Sequence, residues 1–275
     1  MKLAIAIAGE AAAPSAFVVW RGFDSAIPKA RAAGYHGVEL ALRTEAEYRR
    51  ENIAAVLRET GMAVSCVSTG QVFAADGLYF THPDAEVRRR TAEVFTGLIH
   101  VAGELGCMVN VGRARGPVAP SQTPEEAEAL FCEGLYALEP ELERCGVDLV
   151  IEPVNRYEIN YLNTTDEVCA LLDKLGMKNL GVMPDVFHMN IEDDEICRSL
   201  VRNLRHIKYV HFADSNRYYP GCGHLDFSAI VSALRGAGYD GWCAVEILPK
   251  PDPDTAAFRA AQALLPLFGE EGRGL

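Results

Sequence analysis

No stretch of this 275-residue sequence approaches the ~20 consecutive apolar residues that a membrane-spanning helix needs, so a role within a bilayer is not expected. The opening residues Met1 to Ala8 resemble the start of a secretion signal. Their apolar stretch is too short, however, and Gly9-Glu10 interrupts it, so they read as a first core strand. Paired cysteines are also missing. The eight cysteines, at 66, 107, 132, 145, 169, 197, 222 and 243, contain no C-x-x-C spacing. Scattered thiols without a framework fit a reducing cytoplasm, and Cys66, Cys107 and Cys243 sit in apolar runs as small core residues. Positive charge is in deficit: 26 Lys and Arg against 38 Asp and Glu leave a net charge of −12. Such a surface repels phosphate backbones, which argues against a nucleic-acid partner but leaves room for a local basic pocket. What is present, 49% hydrophobic and 23% charged residues, is the composition of an ordinary globular protein.

Short apolar runs recur along the chain. They cover Leu3 to Ala8, Gly37 to Leu40, Met62 to Val67, Cys107 to Val111, Val147 to Ile151, Leu180 to Met183, Ile207 to Phe212 and Trp242 to Ile247. They are rich in Val and Ile and nearly continuous, as strands buried on both faces are. Their mean spacing of about 34 residues fits repeating βα units. Helical patterns lie between them. The pattern predicts helices over 46–60, 84–105, 124–145, 166–175, 226–236 and 254–268, several of them ending at a glycine. Thr123 before Pro124 has the form of an N-cap with proline at the first helical position. Eight strand–helix units with no linker predict an α/β fold, a single (β/α)8 TIM barrel spanning residues 1–275. A doubly wound sheet is the alternative. Residues 270–275 read as a frayed tail.

Active sites of such barrels lie at the C-terminal ends of the strands. The fifth run closes on Glu152, the sixth on Asp185, the seventh contains His211 and the eighth contains Glu246. A charged residue inside an apolar run is costly to bury unless it is paired or bound to a metal. Four on consecutive runs point to one metal-binding set rather than four separately satisfied groups. Three carboxylates and an imidazole are a hard, oxygen-rich donor set that suits Mn²⁺, Mg²⁺ or Co²⁺ better than a closed structural zinc. A divalent metal beside carboxylates can chelate a ketone oxygen and a neighbouring hydroxyl, acidifying the C–H between them for removal by a carboxylate. Glu158, His188 and Arg217 lie on loops that follow these runs and can reach a polyhydroxylated substrate. Arg113 and Arg115, on a glycine-flanked loop after the fourth run, are candidates to bind a carboxylate or phosphate. His82 reads as a turn residue, and His224 and Asp226 as caps of the following helix.

The segments Ile151-Glu152-Pro153-Val154-Asn155-Arg156-Tyr157-Glu158, Asp185-Val186-Phe187-His188-Met189-Asn190 and His211 through Arg217 resemble the xylose-isomerase-like sugar isomerase/epimerase superfamily, and within it the ketose 3-epimerases. A further likeness, to 5-keto-L-gluconate (ketouronate) epimerases, rests on Ser68-Thr69-Gly70-Gln71, Ala75-Asp76-Gly77-Leu78, Thr81-His82-Pro83 and the stretch from Ala213 to His224. The resemblance implies one divalent metal, Mn²⁺ foremost, held by Glu152, Asp185, His211 and Glu246. It implies that Glu152 and Glu246 are also the acid/base pair, inverting the carbon beside a ketone through a cis-enediolate. It implies substrate-holding roles for Glu158, His188 and Arg217, a sugar or sugar-acid substrate, and a homodimer or homotetramer. Pro184-Asp185-Val186 departs from the commoner Leu-Asp-Thr wording but keeps the ligand.

Other activities share this scaffold. Inosose dehydratases and aldose–ketose isomerases proceed through the same enediolate. Abasic-site endonucleases use further histidines on earlier strands, where this sequence has Ser68-Thr69-Gly70 and Arg113. A non-enzymatic, metal-dependent sugar-binding scaffold is the remaining alternative.

Overall fold

The first strand shows in miniature how the sequence builds the protein. In a computed structural model, which describes residues 1–14 and 16–269, β1 (Lys2–Ala8) alternates large and small side chains. Leu3, Ile5 and Ile7 pack into the large cluster formed with the surrounding helices. Ala4, Ala6 and Ala8 point the other way, into two smaller clusters inside the ring. Burying each large side chain contributes about 1.5–3 kcal/mol. The alanines contribute little area, and they leave space where a filled barrel would have none.

The remaining strands are β2 (Trp20–Arg21), β3 (Gly37–Ala41), β4 (Ala63–Ser68), β5 (Met108–Val111), β6 (Leu149–Ile151), β7 (Leu180–Val182), β8 (Tyr209–Phe212) and β9 (Trp242–Val245). All pair in parallel in the order β7-β6-β5-β4-β3-β1-β9-β8, with the two-residue β2 lying beside β1. Between β7 and β8 there are only two isolated parallel bridges, Val182 with Ile207 and Asp185 with His211. These close the sheet into an eight-stranded barrel. The eight strands coincide with the eight apolar runs to within two residues at each end.

The helices follow their caps. Thr123 and Thr164 form complete capping boxes with Glu126 and Glu167, opening helices Pro124–Cys145 and Thr165–Leu175. Asp84, Asp226 and Asp252 cap Ala85–Leu105, Phe227–Gly236 and Pro253–Phe268. The pattern over 46–60 proves to be two helices, Glu45–Arg50 and Ile53–Thr60, because Glu51 takes an extended conformation between them. Helix Phe23–Ala32 carries Pro28 in its interior and has no side-chain cap, so it lacks the signals that mark the others. The expected tail at 270–275 lies outside the described residues. No described helix is long and apolar enough to cross a membrane.

Candidate active site

Four donors converge at the C-terminal mouth of the barrel. Glu152 follows β6, Asp185 follows β7, His211 lies in β8 and Glu246 follows β9. One ligand atom from each falls within a group whose members all lie within 4.8 Å of one another. Asp185 and His211 are fully buried, and Glu152 is nearly so. The donors are adjacent because the parallel register places the strand ends side by side.

Among the described residues, two buried atoms of this group have no hydrogen-bond partner: Glu152 Oε1 and His211 Nδ1. They lie 3.5 Å apart, and Glu246 Oε2 is 3.6 Å from the same His211 nitrogen. Leaving such groups unsatisfied costs about 1–3 kcal/mol each. Three carboxylates and one imidazole gathered this closely are a donor set that fits a divalent cation with oxygen preference. The surroundings support this. Gly112 sits where an added Cβ would come within 2.6 Å of Glu152 Oε2, so its lack of a side chain makes room for that carboxylate.

The sequence reading overlooked Glu39, on β3. It is fully buried, and its Oε2 lies 2.8 Å from His211 Nε2. Nε2 therefore carries a proton and Nδ1 is the nitrogen turned to the cluster, the orientation a carboxylate gives a metal-ligating histidine. The signal that could have found it is the one that found Glu246: a charge inside the apolar run from Gly37 to Leu40. Burial opposes charge on His211, but the Glu39 and Glu246 carboxylates outweigh it and raise its pKa.

Arg217 is inserted between the carboxylates, donating to Asp185 Oδ2 and Glu246 Oε2. Its guanidinium lies between the rings of Phe17 and Phe187, with Cζ 4.6 and 4.9 Å from the two centroids. Its backbone is left-handed, with φ of 63°, a conformation unusual for a non-glycine residue. The N–H of Arg217 donates to Asp214 O at 2.8 Å and Leu248 N–H donates to Arg217 O at 2.9 Å, which fixes that conformation. Asp214 in turn accepts backbone N–H groups from Ser215, Gly221 and Leu225 and so ties the loop together. Burial pushes the Glu246 carboxyl up, but Arg217 and His211 overcome it and hold it at about 2. Burial dominates at Glu152 and pushes it up to about 7. The two carboxyls thus sit in unlike environments.

His188 is buried beside the cluster, its Nε2 3.9 Å from Glu152 Oε1 and 4.0 Å from Asp185 Oδ2. Asn155 Nδ2 lies 2.7 Å from His188 Nδ1 and donates to it, which leaves an Nε2–H directed at the cavity. Burial and the neighbouring Arg217 depress the His188 pKa, so the ring is neutral. Asn155 Nδ2 also lies 3.2 Å from Glu158 Oε1. Across the mouth, Arg113 Nη1 is 3.7 Å from Glu158 Oε2, and the guanidinium rests over the Phe73 ring. Arg113, Glu158, His188, Arg217, Glu152 and Glu246 all line one cavity.

Arg115 corrects the sequence reading. It does not face the cavity and is not available to a substrate carboxylate. It is fully buried, and its guanidinium donates to the carbonyls of Tyr161, Gly112, Glu152 and Leu162 at 2.8–2.9 Å. The loop after β5 turns as a 3-10 helix over Arg113–Arg115, which rotates successive side chains by about a third of a turn and so points the two arginines to different sides. Of the two arginines, only Arg113 reaches the mouth. The lesser histidines behave as structural groups: His82 Nδ1 accepts from Asp84 N–H, and His36 Nδ1 from Leu3 N–H.

The family described as Xylose isomerase-like TIM barrel matches residues 27–266, which is most of the chain. The protein belongs to that family. Among its curated relatives, a ketose 3-epimerase of Arthrobacter globiformis is 31% identical over 234 residues, covering 82% of this chain and 79% of the relative. A 3-dehydro-D-guloside 4-epimerase of Escherichia coli (strain K12) is 27% identical and covers 78% of this chain and 83% of its own. The apo structure of a 3-keto-D-glucoside 4-epimerase from E. coli superposes with a TM-score of 0.81 at 23% identity, over 97% of this chain and 98% of that one. Within the xylose isomerase-like family these relatives are epimerases, and this member is an enzyme of the same isomerase class.

Proposed function

We propose that the protein is a divalent-metal-dependent epimerase that inverts the carbon beside the ketone of a ketose or keto-uronate. The observation that supports this most is the convergence of Glu152, Asp185, His211 and Glu246, with two donor atoms left unpartnered, beside a cavity that Glu152 and Glu246 line. A bound divalent ion, Mn²⁺ foremost with Mg²⁺ or Co²⁺ as alternatives, would polarise the substrate's ketone and adjacent hydroxyl. The chain's own groups do the rest. Glu152 and Glu246 come from β6 and β9, on either side of the two strands between them. They are the pair that removes the proton from one face of the carbon and returns one to the other, through a cis-enediolate. His188 Nε2–H and the Arg217 guanidinium donate to substrate oxygens, and Glu158 accepts from a hydroxyl.

Arg113 selects among substrates. It is a cation at the rim of the cavity, held only at 3.7 Å from Glu158, whereas Arg217 is already bound by Asp185 and Glu246. A keto-uronate would offer it a closer anion. The expected result for Arg113→Ala is a KM for a keto-uronate raised by roughly tenfold or more, the size of a lost charged hydrogen bond, with the KM for a neutral ketose little changed. Equal KM values for both substrates in wild type and variant would remove Arg113 from this role.

The reaction itself is tested by stripping the enzyme of metal and restoring Mn²⁺. It is then incubated in D₂O with ketohexoses, ketohexuronates and inososes and followed by proton NMR. Deuterium at the carbon beside the ketone, together with an inverted product, is the expected outcome. Loss of water from the substrate would replace epimerisation by dehydration. Absence of exchange with every substrate while the metal is bound would overturn the proposal.

A further inference from the structure

A second cluster of ligating side chains lies outside the barrel mouth. His100 on helix Ala85–Leu105, with Glu141 and Cys145 on helix Pro124–Cys145, places one donor atom each within 4.8 Å of the others. Glu141 and Cys145 are four residues apart and share a helix face. His100 reaches them from the neighbouring helix, where Gly103 allows close approach. A Cβ at 103 would lie 3.1 Å from Cys145 Cβ. Cys145 ends the helix that precedes β6, whereas Glu152 follows β6, so the cluster belongs to the end of the barrel opposite the catalytic mouth.

The protein already places a cation there. Arg144 Nη2 lies 2.9 Å from His100 Nε2 and also donates to Glu141 Oε2. His100 Nε2 and Glu141 Oε2 are themselves 2.9 Å apart, the distance of an imidazole N–H to carboxylate hydrogen bond, so the two ligating atoms already face each other. Yet the Arg144 side chain is 59% exposed, and such a surface pair contributes little and is readily exchanged.

We propose that His100, Glu141 and Cys145 form a site for a thiophilic divalent cation of the zinc class, whose binding displaces the Arg144 guanidinium into solvent. One imidazole nitrogen, one carboxylate oxygen and one thiolate are a soft-to-borderline set suited to tetrahedral Zn²⁺, with water as the fourth ligand. The Cys145 thiol gives its proton to solvent as the sulfur–metal bond forms. The site differs in kind from the oxygen-rich barrel cluster, which contains no sulfur. Its role is to clamp the ends of two adjacent helices on the face of the barrel associated with stability rather than catalysis.

Co²⁺ titration of the full chain provides the test. A thiolate-to-Co²⁺ charge-transfer band in the near ultraviolet, abolished by added Zn²⁺, is the expected signal. The oxygen and nitrogen donors of the barrel mouth cannot produce it. Asp185→Asn, which removes a barrel ligand, retains the band, while Cys145→Ser and His100→Gln lose it. Arg144→Gln removes the competing cation and tightens the site by about two- to fivefold, matching the energy of an exposed ion pair. Absence of the band at saturating Co²⁺, or its persistence in Cys145→Ser, would overturn the proposal whatever the fate of the barrel site.

Discussion

Glu152→Gln and Glu246→Gln are each expected to reduce kcat by roughly 10²–10⁴, the contribution of a positioned general acid or base. Each side chain serves twice in the proposed reaction, as a donor to the metal and as a proton carrier. Gln keeps the shape and one oxygen, so the fold survives: both residues lie at the mouth, beyond the last paired residues of their strands. The losses will not multiply in the double variant, because the two groups act on one proton path. The measurement is solvent-deuterium incorporation by proton NMR at saturating Mn²⁺, alongside metal content. Full turnover in either variant would exclude that residue from the acid/base pair. Weakened metal retention with turnover restored at high Mn²⁺ would assign it to ligation alone.

Arg115→Ala is expected to lower stability by about 3 kcal/mol or more, roughly 1–3 kcal/mol for each buried carbonyl left without a donor, although the residue touches no substrate. Four backbone carbonyls from three segments of the chain depend on this one side chain. Burial pulls the guanidinium pKa down to about 10, which leaves it charged at neutral pH, so its donors remain strong. Removing it strands the carbonyls of Glu152, Tyr161 and Leu162 without a donor, while the Gly112 carbonyl keeps the backbone N–H of residue 115. Arg115→Lys does not rescue, because a single ammonium cannot span the positions that a planar guanidinium reaches. Chemical denaturation reads the effect directly, and a loss below about 1 kcal/mol would show that water or rearrangement replaces the missing donors. Because one of the carbonyls belongs to Glu152, activity should fall with stability in this variant, whereas in Arg113→Ala it should not.

The different fates of these two arginines mark where sequence reading stops. Both stand in one glycine-flanked tripeptide, and nothing local distinguishes them. What buries Arg115 is the carbonyl array at Tyr161 and Leu162, more than forty residues away. The strands were legible because a buried parallel strand needs nothing but apolar residues in sequence. The four convergent donors were legible because a charge in such a run has few physical excuses. Glu39 carried the same signal, but its partner is an imidazole across the ring, and only the closed barrel brings β3 and β8 within reach of each other. Phe17 and Phe187 were invisible for a different reason. An aromatic residue outside the strands reads the same whether it faces solvent or stacks on a guanidinium.

The sparse junction between β7 and β8 has a mechanical meaning. Two bridges hold it, as many as the paired positions between β4 and β5. One of those rungs joins Asp185 to His211, and Arg217 reaches across from the next loop to Asp185 and Glu246. The seam that closes the barrel and the carboxylate–imidazole cluster at its mouth are therefore the same place. Whatever fastens those side chains together also locks the hoop, so the charges gathered at the mouth act as a rivet of the cylinder.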